Sequence, residues 1–170
     1  MKKKQAGLPA GRQGFTLMEV IISLAIIIVA LISVISLISF SISGIVENKS
    51  KITAFGLAQE GLEIVRNIRD NNWLNHKRTI SDWRDGLESG TYRVQYNSVS
   101  LLSFNSTPLK IDNNGFYGYS GTPTNFYRKI TISDIDNNQF KVVVEVSWNE
   151  RGRNLAMTAE SRIYNWLKEE

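Results

Sequence analysis

From Val20 to Val46 the chain runs for 27 residues without a charged side chain, interrupted only by serines and Gly44. A helix rises 1.5 Å per residue, so this stretch would span roughly 40 Å, against about 30 Å of bilayer hydrocarbon. It is long enough to cross a membrane with some length to spare. A secretory signal is the rival reading, because "SFSISG" (Ser39 to Gly44) offers small residues for cleavage. The apolar part of such a signal is about 7–15 residues long, and this run is far longer. The segment therefore reads as a single membrane-spanning helix. Lys2, Lys3, Lys4 and Arg12 precede it and mixed charge follows. That asymmetry places the N-terminus in the cytoplasm and the residues beyond the mid-40s on the opposite side.

One acid, Glu19, stands at the mouth of the run, and the next charge is Glu47. A charged residue at the centre of a membrane helix costs about 2.5–3.5 kcal/mol on insertion scales, and less near its end. A carboxylate in this position needs a reason.

The formal net charge of +4 invites an acidic partner, but its location argues otherwise. The first 14 residues hold four basic side chains and no acid, which leaves 16 basic residues (20 − 4) against 16 acids in the remainder. That remainder is formally neutral, so no specific affinity for nucleic acid is expected. Cysteine is absent, which excludes disulfides and thiolate metal sites. Residues 1–14, "MKKKQAGLPAGRQG", are basic and broken by Pro9 and three glycines, a poor helix and a plausible disposable leader.

Beyond the apolar run the helical period continues. Ile52, Phe55, Leu62, Val65 and Ile68 recur on one stripe. Glu63 and Arg66 lie one turn apart. The expected stop is "DNNW", Asp70 to Trp73, which gives one helix from about residue 16 to about 70. The period then changes to two. "TYRVQY" alternates Tyr92, Val94 and Tyr96 against Arg93 and Gln95. "FYRKITI" sets Phe126, Ile130 and Ile132 on one side, with Arg128 as an exception. In "FKVVVEVSW" Phe140, Val142, Val144, Val146 and Trp148 alternate with polar residues. After a turn at Gly152, Leu155, Met157, Ala159 and Ile163 share a face. "IDNNG" and "DIDNN" read as turns, and the stretch between Ser98 and Asn125 as loops with one short strand. An amphipathic half-helix and a half-wet sheet each need a cover, and packing one on the other satisfies both.

Catalytic chemistry finds little support. His76 is the sole histidine and, with no cysteine, cannot anchor a zinc or copper site; it reads as a surface residue. Asp134 and Asp136 in "SDIDNNQ" offer carboxylates for calcium, but the glycine and distant glutamate of an EF-hand loop are missing, so a strand-connecting turn is the simpler reading. Asp82, Asp85 and Glu88 form a loose acidic series at a solvated turn. The tryptophans at 73, 83, 148 and 166 read as core and edge aromatics. No phosphate cradle and no serine–histidine pairing is present. The expectation is a non-enzyme without cofactor or metal.

One motif is specific. Gly14, then Phe15, Thr16, Leu17, Met18, Glu19 and an uninterrupted apolar helix resembles the N-terminal signature of type IV prepilins and pseudopilins. The likeness is close over residues 14–45. Gln13 departs from it, since a lysine or arginine often stands before the glycine; here Arg12 is one place further back. The resemblance implies a leader removed between Gly14 and Phe15 by a membrane-embedded prepilin peptidase, with methylation of the new N-terminus. It also implies a role for Glu19 in assembly, neutralising the Phe15 ammonium of a neighbouring subunit. "LAQEGLEIVRNIRDNNW" with "VVVEVSW" and "ESRIYNW" looks like minor pilins of the PilV type, although such segments are also generic for a pilin head. Without cysteines, the C-terminal disulfide loop of many major pilins is not possible.

The family therefore implies an α+β, pilin-like fold in three parts. Residues 1–14 are a cleaved leader and residues 15–45 a transmembrane and assembly helix. Residues 46–170 are a head, in which the helix continues to about 70 and packs on an antiparallel sheet. The implied function is a minor or accessory subunit of a type IV pilus-like filament. The alternatives are a type II secretion pseudopilin and a DNA-capturing competence-type pilin; the neutral head is mild evidence against the latter. Its partners would be other pilin or pseudopilin subunits, the prepilin peptidase and the bacterial cytoplasmic membrane, before transfer to an extracytoplasmic filament.

Overall fold

A computed structural model describes residues 14–74 and 83–166. Most of the leader, together with His76 and Asp82, lies outside the described residues. The chain divides into two compact units, Met1–Ile45 and Val46–Glu170.

A single α-helix, α1, runs from Leu17 to Leu74 over 58 residues and contributes to both units. It ends four residues past Asp70, so "DNNW" forms its last turn. In the first unit its side chains find no cover, and Leu17, Ile26, Val29, Leu37 and Phe40 are among those exposed.

In the second unit the helix buries a narrow face made of Ala54, Leu57, Ala58, Gly61, Ile64, Val65, Ile68 and Arg69. The spacing of three and four keeps these residues in line along the axis. This corrects the stripe expected from hydrophobicity alone. Val65 and Ile68 belong to the buried face and Leu62 packs partly against it, but Ile52 and Phe55 are 73% and 48% exposed. Ala54, Ala58 and Gly61 replace them, because small side chains let the helix axis approach the sheet. A Cβ built on Gly61 would come within 2.9 Å of Val144 Cγ1.

The sheet beneath is antiparallel throughout, in the order β2 (Leu102–Ser103), β1 (Gly90–Arg93), β6 (Phe126–Asp136), β7 (Gln139–Glu150) and β8 (Arg153–Tyr164). Strand β7 follows its alternation: Phe140, Val142, Val144, Val146 and Trp148 are all buried. Fully burying an aliphatic or aromatic side chain of this kind is worth about 1.5–3 kcal/mol. The β7–β8 hairpin turns through Arg151 and Gly152, with φ of 52° and 76°. Positive φ at both central residues matches the right-handed twist of the flanking strands, and Gly152 tolerates it without a Cβ clash. Leu155, Met157 and Ala159 face the core cluster, and Ile163 belongs to it. Strand β1 is shorter than its alternation suggests: Val94 is buried just beyond its end, while Gln95 and Tyr96 enter a turn.

The region between Ser98 and Asn125 holds more order than its composition indicates. Beyond β2, it contains β3 (Lys110–Ile111), β4 (Tyr117–Gly118) and β5 (Thr122–Pro123), which form a second antiparallel sheet in the order β4-β3-β5. Each strand has two residues, too few for a period of two to show.

Arg128, the exception in its strand pattern, points inward and is 2% exposed. Its Nη1 donates to the Leu57 carbonyl and to Glu60 Oε1, both at 3.1 Å, and its Nη2 donates to the Val94 carbonyl at 2.8 Å. One guanidinium thus ties α1, β6 and the end of β1 together. The guanidinium is buried while the Glu60 carboxylate is 31% exposed, so the two carbonyl acceptors carry much of its pairing inside the core.

Candidate functional site

The residues singled out by sequence, Gly14, Phe15 and Glu19, lie at the start of α1. Gly14, Phe15 and Thr16 are outside the helix, which begins at Leu17. Phe15 is 82% exposed, and nothing comes within 4 Å of a Cβ built on Gly14. Thr16 makes the transition. Its carbonyl accepts the Val20 N–H at 3.2 Å, a first helical bond, and its Oγ1 accepts the Glu19 N–H at 3.2 Å. Those two bonds define an N-cap residue, and Glu19 occupies the third helical position. "TLME" is a capping-box sequence, a threonine followed three residues later by glutamate, and that pattern could have been found without coordinates. Glu19 is also the acid of the first turn, where the partial positive charge of the helix dipole favours a carboxylate. Part of the reason for an acid at this place is therefore local.

Past this start, α1 is the one helix among the described residues long and apolar enough to cross a membrane, and its apolar stretch is not buried within the chain. The serines that interrupt it carry some of their own partners. Ser33 Oγ donates to the Val29 carbonyl and Ser43 Oγ to the Ser39 carbonyl, each at 2.8 Å. Returning the hydroxyl to the preceding turn satisfies it without water, as lipid demands. Charge resumes with Glu47, which pairs with Lys51 at 2.8 Å and Arg153 at 3.2 Å. The hydrogen bond from Lys51, more than any other contact, holds the Glu47 carboxyl below its ordinary range.

The aspartates considered for calcium are engaged in protein contacts. Asp134 pairs with Arg84, and its N–H donates to Ser89 Oγ. Asp136 closes the β6–β7 turn: Oδ2 accepts Gln139 Nε2 at 2.6 Å and Oδ1 accepts the Asn138 N–H at 2.8 Å. The bond from Gln139 contributes most to holding its carboxyl below the usual range. Among the described residues, no group of three or more histidine, aspartate or glutamate side chains gathers as a metal site would require.

At the far end of α1 the aromatics assemble. Trp73 meets Trp166 edge-on at 4.6 Å and Trp83 at 6.4 Å, and Trp83 stacks on Phe140 at 5.5 Å. Arg69 lies over Trp73 at 4.4 Å and donates to the Tyr164 carbonyl at 3.0 Å. Trp83 and Trp148 are buried and Trp166 is exposed, a core-and-edge arrangement. On the outer face of the sheet a groove of about 570 Å³ is lined by Phe104, Tyr127, Lys129, Glu145, Asn149 and Asn154 among others. Lys129 and Glu145, directly opposite one another on β6 and β7, pair at 3.0 Å.

Compared with protein-family models, with curated proteins and with solved structures, the chain matches none.

Proposed function

We propose that this chain is a structural subunit of a type IV pilus-like filament, minor or accessory in role, and not an enzyme. Prepilin peptidase removes residues 1–14, and the mature chain begins at Phe15. The apolar half of α1 holds the subunit in the cytoplasmic membrane and later packs among the corresponding helices of other pilin or pseudopilin subunits. The α+β head of residues 46–170, pilin-like in its layout, stays on the extracytoplasmic side and becomes the filament's outer surface. Glu19 pairs with the Phe15 ammonium of a neighbour.

The observation that best supports this reading is one helix with two chemistries. Over 20–46 it carries no charge on any face, and over 54–69 it presents a narrow buried stripe to an antiparallel sheet. A membrane anchor alone accounts for the first half only. A pilin-like subunit accounts for both, with an apolar segment for assembly and a helix packed on a sheet as its head. The helix also starts two residues after the Gly14–Phe15 junction, so removal of the leader leaves it whole.

Intact-mass measurement of the protein extracted from membranes with active prepilin peptidase tests the proposal. The expected species begins at Phe15. Persistence of residues 1–14, in membranes where another substrate of the peptidase is cleaved, would overturn it in favour of an uncut membrane-anchored protein.

A further inference from the structure

We propose that Thr16 is a positioning residue for leader removal: it fixes the start of α1 and so keeps the Gly14–Phe15 bond outside the helix, where a peptidase can engage it. The inference rests on the processing reading above.

A peptide bond within a helix is a poor substrate. Its carbonyl accepts a helical hydrogen bond, and neighbouring turns crowd both flanking side chains. A hydrolase needs that carbonyl free. The 58-residue helix that follows the junction is a large nucleus from which helix can propagate backward, since adding a residue to an existing helix is easy compared with starting one. Something must stop it. Thr16 is placed to do so. An N-cap residue adopts non-helical backbone angles, and its hydroxyl takes the N–H three residues on. The 3.2 Å bond from the Glu19 N–H to Thr16 Oγ1 is that contact. The result is a junction with Gly14 in open space and Phe15 82% exposed, one residue before the cap. Alanine at position 16 would remove the acceptor and install the best helix former, letting the helix reach toward the scissile bond. The Thr16 side chain touches neither atom of that bond; it acts through the helix boundary.

Three substitutions separate a cap from simple recognition of side-chain shape. Thr16→Ser keeps the acceptor and loses the methyl group. Thr16→Val keeps the shape and loses the acceptor. Thr16→Ala loses both. Full-length chains in membranes with active prepilin peptidase are followed by mass for loss of residues 1–14. The cap predicts that Thr16→Ser is cleaved at the wild-type rate, while Thr16→Val and Thr16→Ala are slower by about fivefold, the population change that loss of a typical cap produces. Amide exchange at the Met18 N–H, which gains the Gly14 carbonyl as its helical acceptor once the helix passes residue 16, should slow in the valine and alanine variants of the uncleaved chain in micelles and hold steady in the serine variant. Thr16→Val cleaved as fast as wild type, or Thr16→Ser as slow as Thr16→Val, would overturn the inference, as would unchanged exchange. Those outcomes differ from failure of the processing reading, in which the wild-type chain is not cleaved at all.

Discussion

Glu19 has a local role at the start of α1 and, under the proposed function, a second one in assembly, and substitution can separate them. Within its own chain it lies in the first turn of α1, donates its N–H to Thr16 Oγ1 and faces the positive end of the helix dipole. An acid there is worth about 0.3–1 kcal/mol. Cleavage at Phe15 would add a cation beside that same positive end, since a free α-amino group with a pKa of about 7.7–8.0 is largely protonated at pH 7. In a filament that excludes water and headgroups, a buried ionised carboxylate costs several kcal/mol unless paired. On the proposed filament reading, the ammonium of a neighbouring Phe15 would supply the pair, and methylation would leave its charge in place. Glu19→Gln keeps a capping-box residue and removes the charge, while Glu19→Val removes both. The expected outcome is that both variants insert in the membrane and are cleaved, and both are depleted from sheared filaments relative to membrane fractions. If Glu19→Gln enters filaments normally and Glu19→Val does not, Glu19 is a helix-start residue and the trans pairing is wrong.

At the scale of elements, α1 carries two glycines in its second half with opposite surroundings. Gly56 has nothing within 4 Å of a built Cβ, whereas at Gly61 that atom meets Val144 Cγ1 at 2.9 Å and Arg128 Cδ at 3.4 Å. Gly56→Ala should therefore stabilise the head by about 0.5–1 kcal/mol, the cost of a mid-helix glycine relative to alanine. Gly61→Val should destabilise it by about 1–3 kcal/mol through overpacking. Thermal unfolding of the two variants should move the midpoint in opposite directions; a rise for both would mean that the helix does not press on β7 at Gly61. The same contact explains what the sequence made legible. Strands β6, β7 and β8 declared themselves because their inward residues are large and their outward ones polar, so a period of two is visible in hydrophobicity. On the helix face Val65 and Ile68 declared themselves likewise, but the earlier turns did not, because close approach selects small residues there. Ala54, Ala58 and Gly61 carry little hydrophobic signal, while Ile52 and Phe55 carry much and stay exposed. Arg128 read as an interruption of an apolar face, yet it is an inward residue whose partners come from elements 34 and 71 residues away, at the Val94 and Leu57 carbonyls. At the helix start the opposite holds. Thr16 and Glu19 are three apart, so their contact was readable from local spacing.

For the whole molecule, the distribution of burial makes the strongest statement. Among the described residues, every buried hydrophobic one lies at or beyond Ala54, and those of the first unit contribute none. Deleting the chain up to Ile45 thus removes no member of the core. It leaves Glu47 with Lys51 and Arg153, and Arg128 with Glu60 and the Leu57 and Val94 carbonyls. The two turns from Val46 to Thr53 would fray, having no buried side chain to hold them. The exposed apolar area of residues 17–45, far beyond a scatter of single surface hydrophobes, is what would make the full chain insoluble without lipid, detergent or other subunits. Residues 46–170 alone should accordingly be soluble, show mixed helix and sheet by circular dichroism, and unfold in one cooperative step. A chelator should leave that transition where it is, because Asp134 and Asp136 find their partners in Arg84, Gln139 and the Asn138 N–H. A midpoint lowered by EDTA would restore calcium to the β6–β7 turn. A fragment that precipitates, or that unfolds without a cooperative transition, would show that the head depends on the apolar segment for its fold.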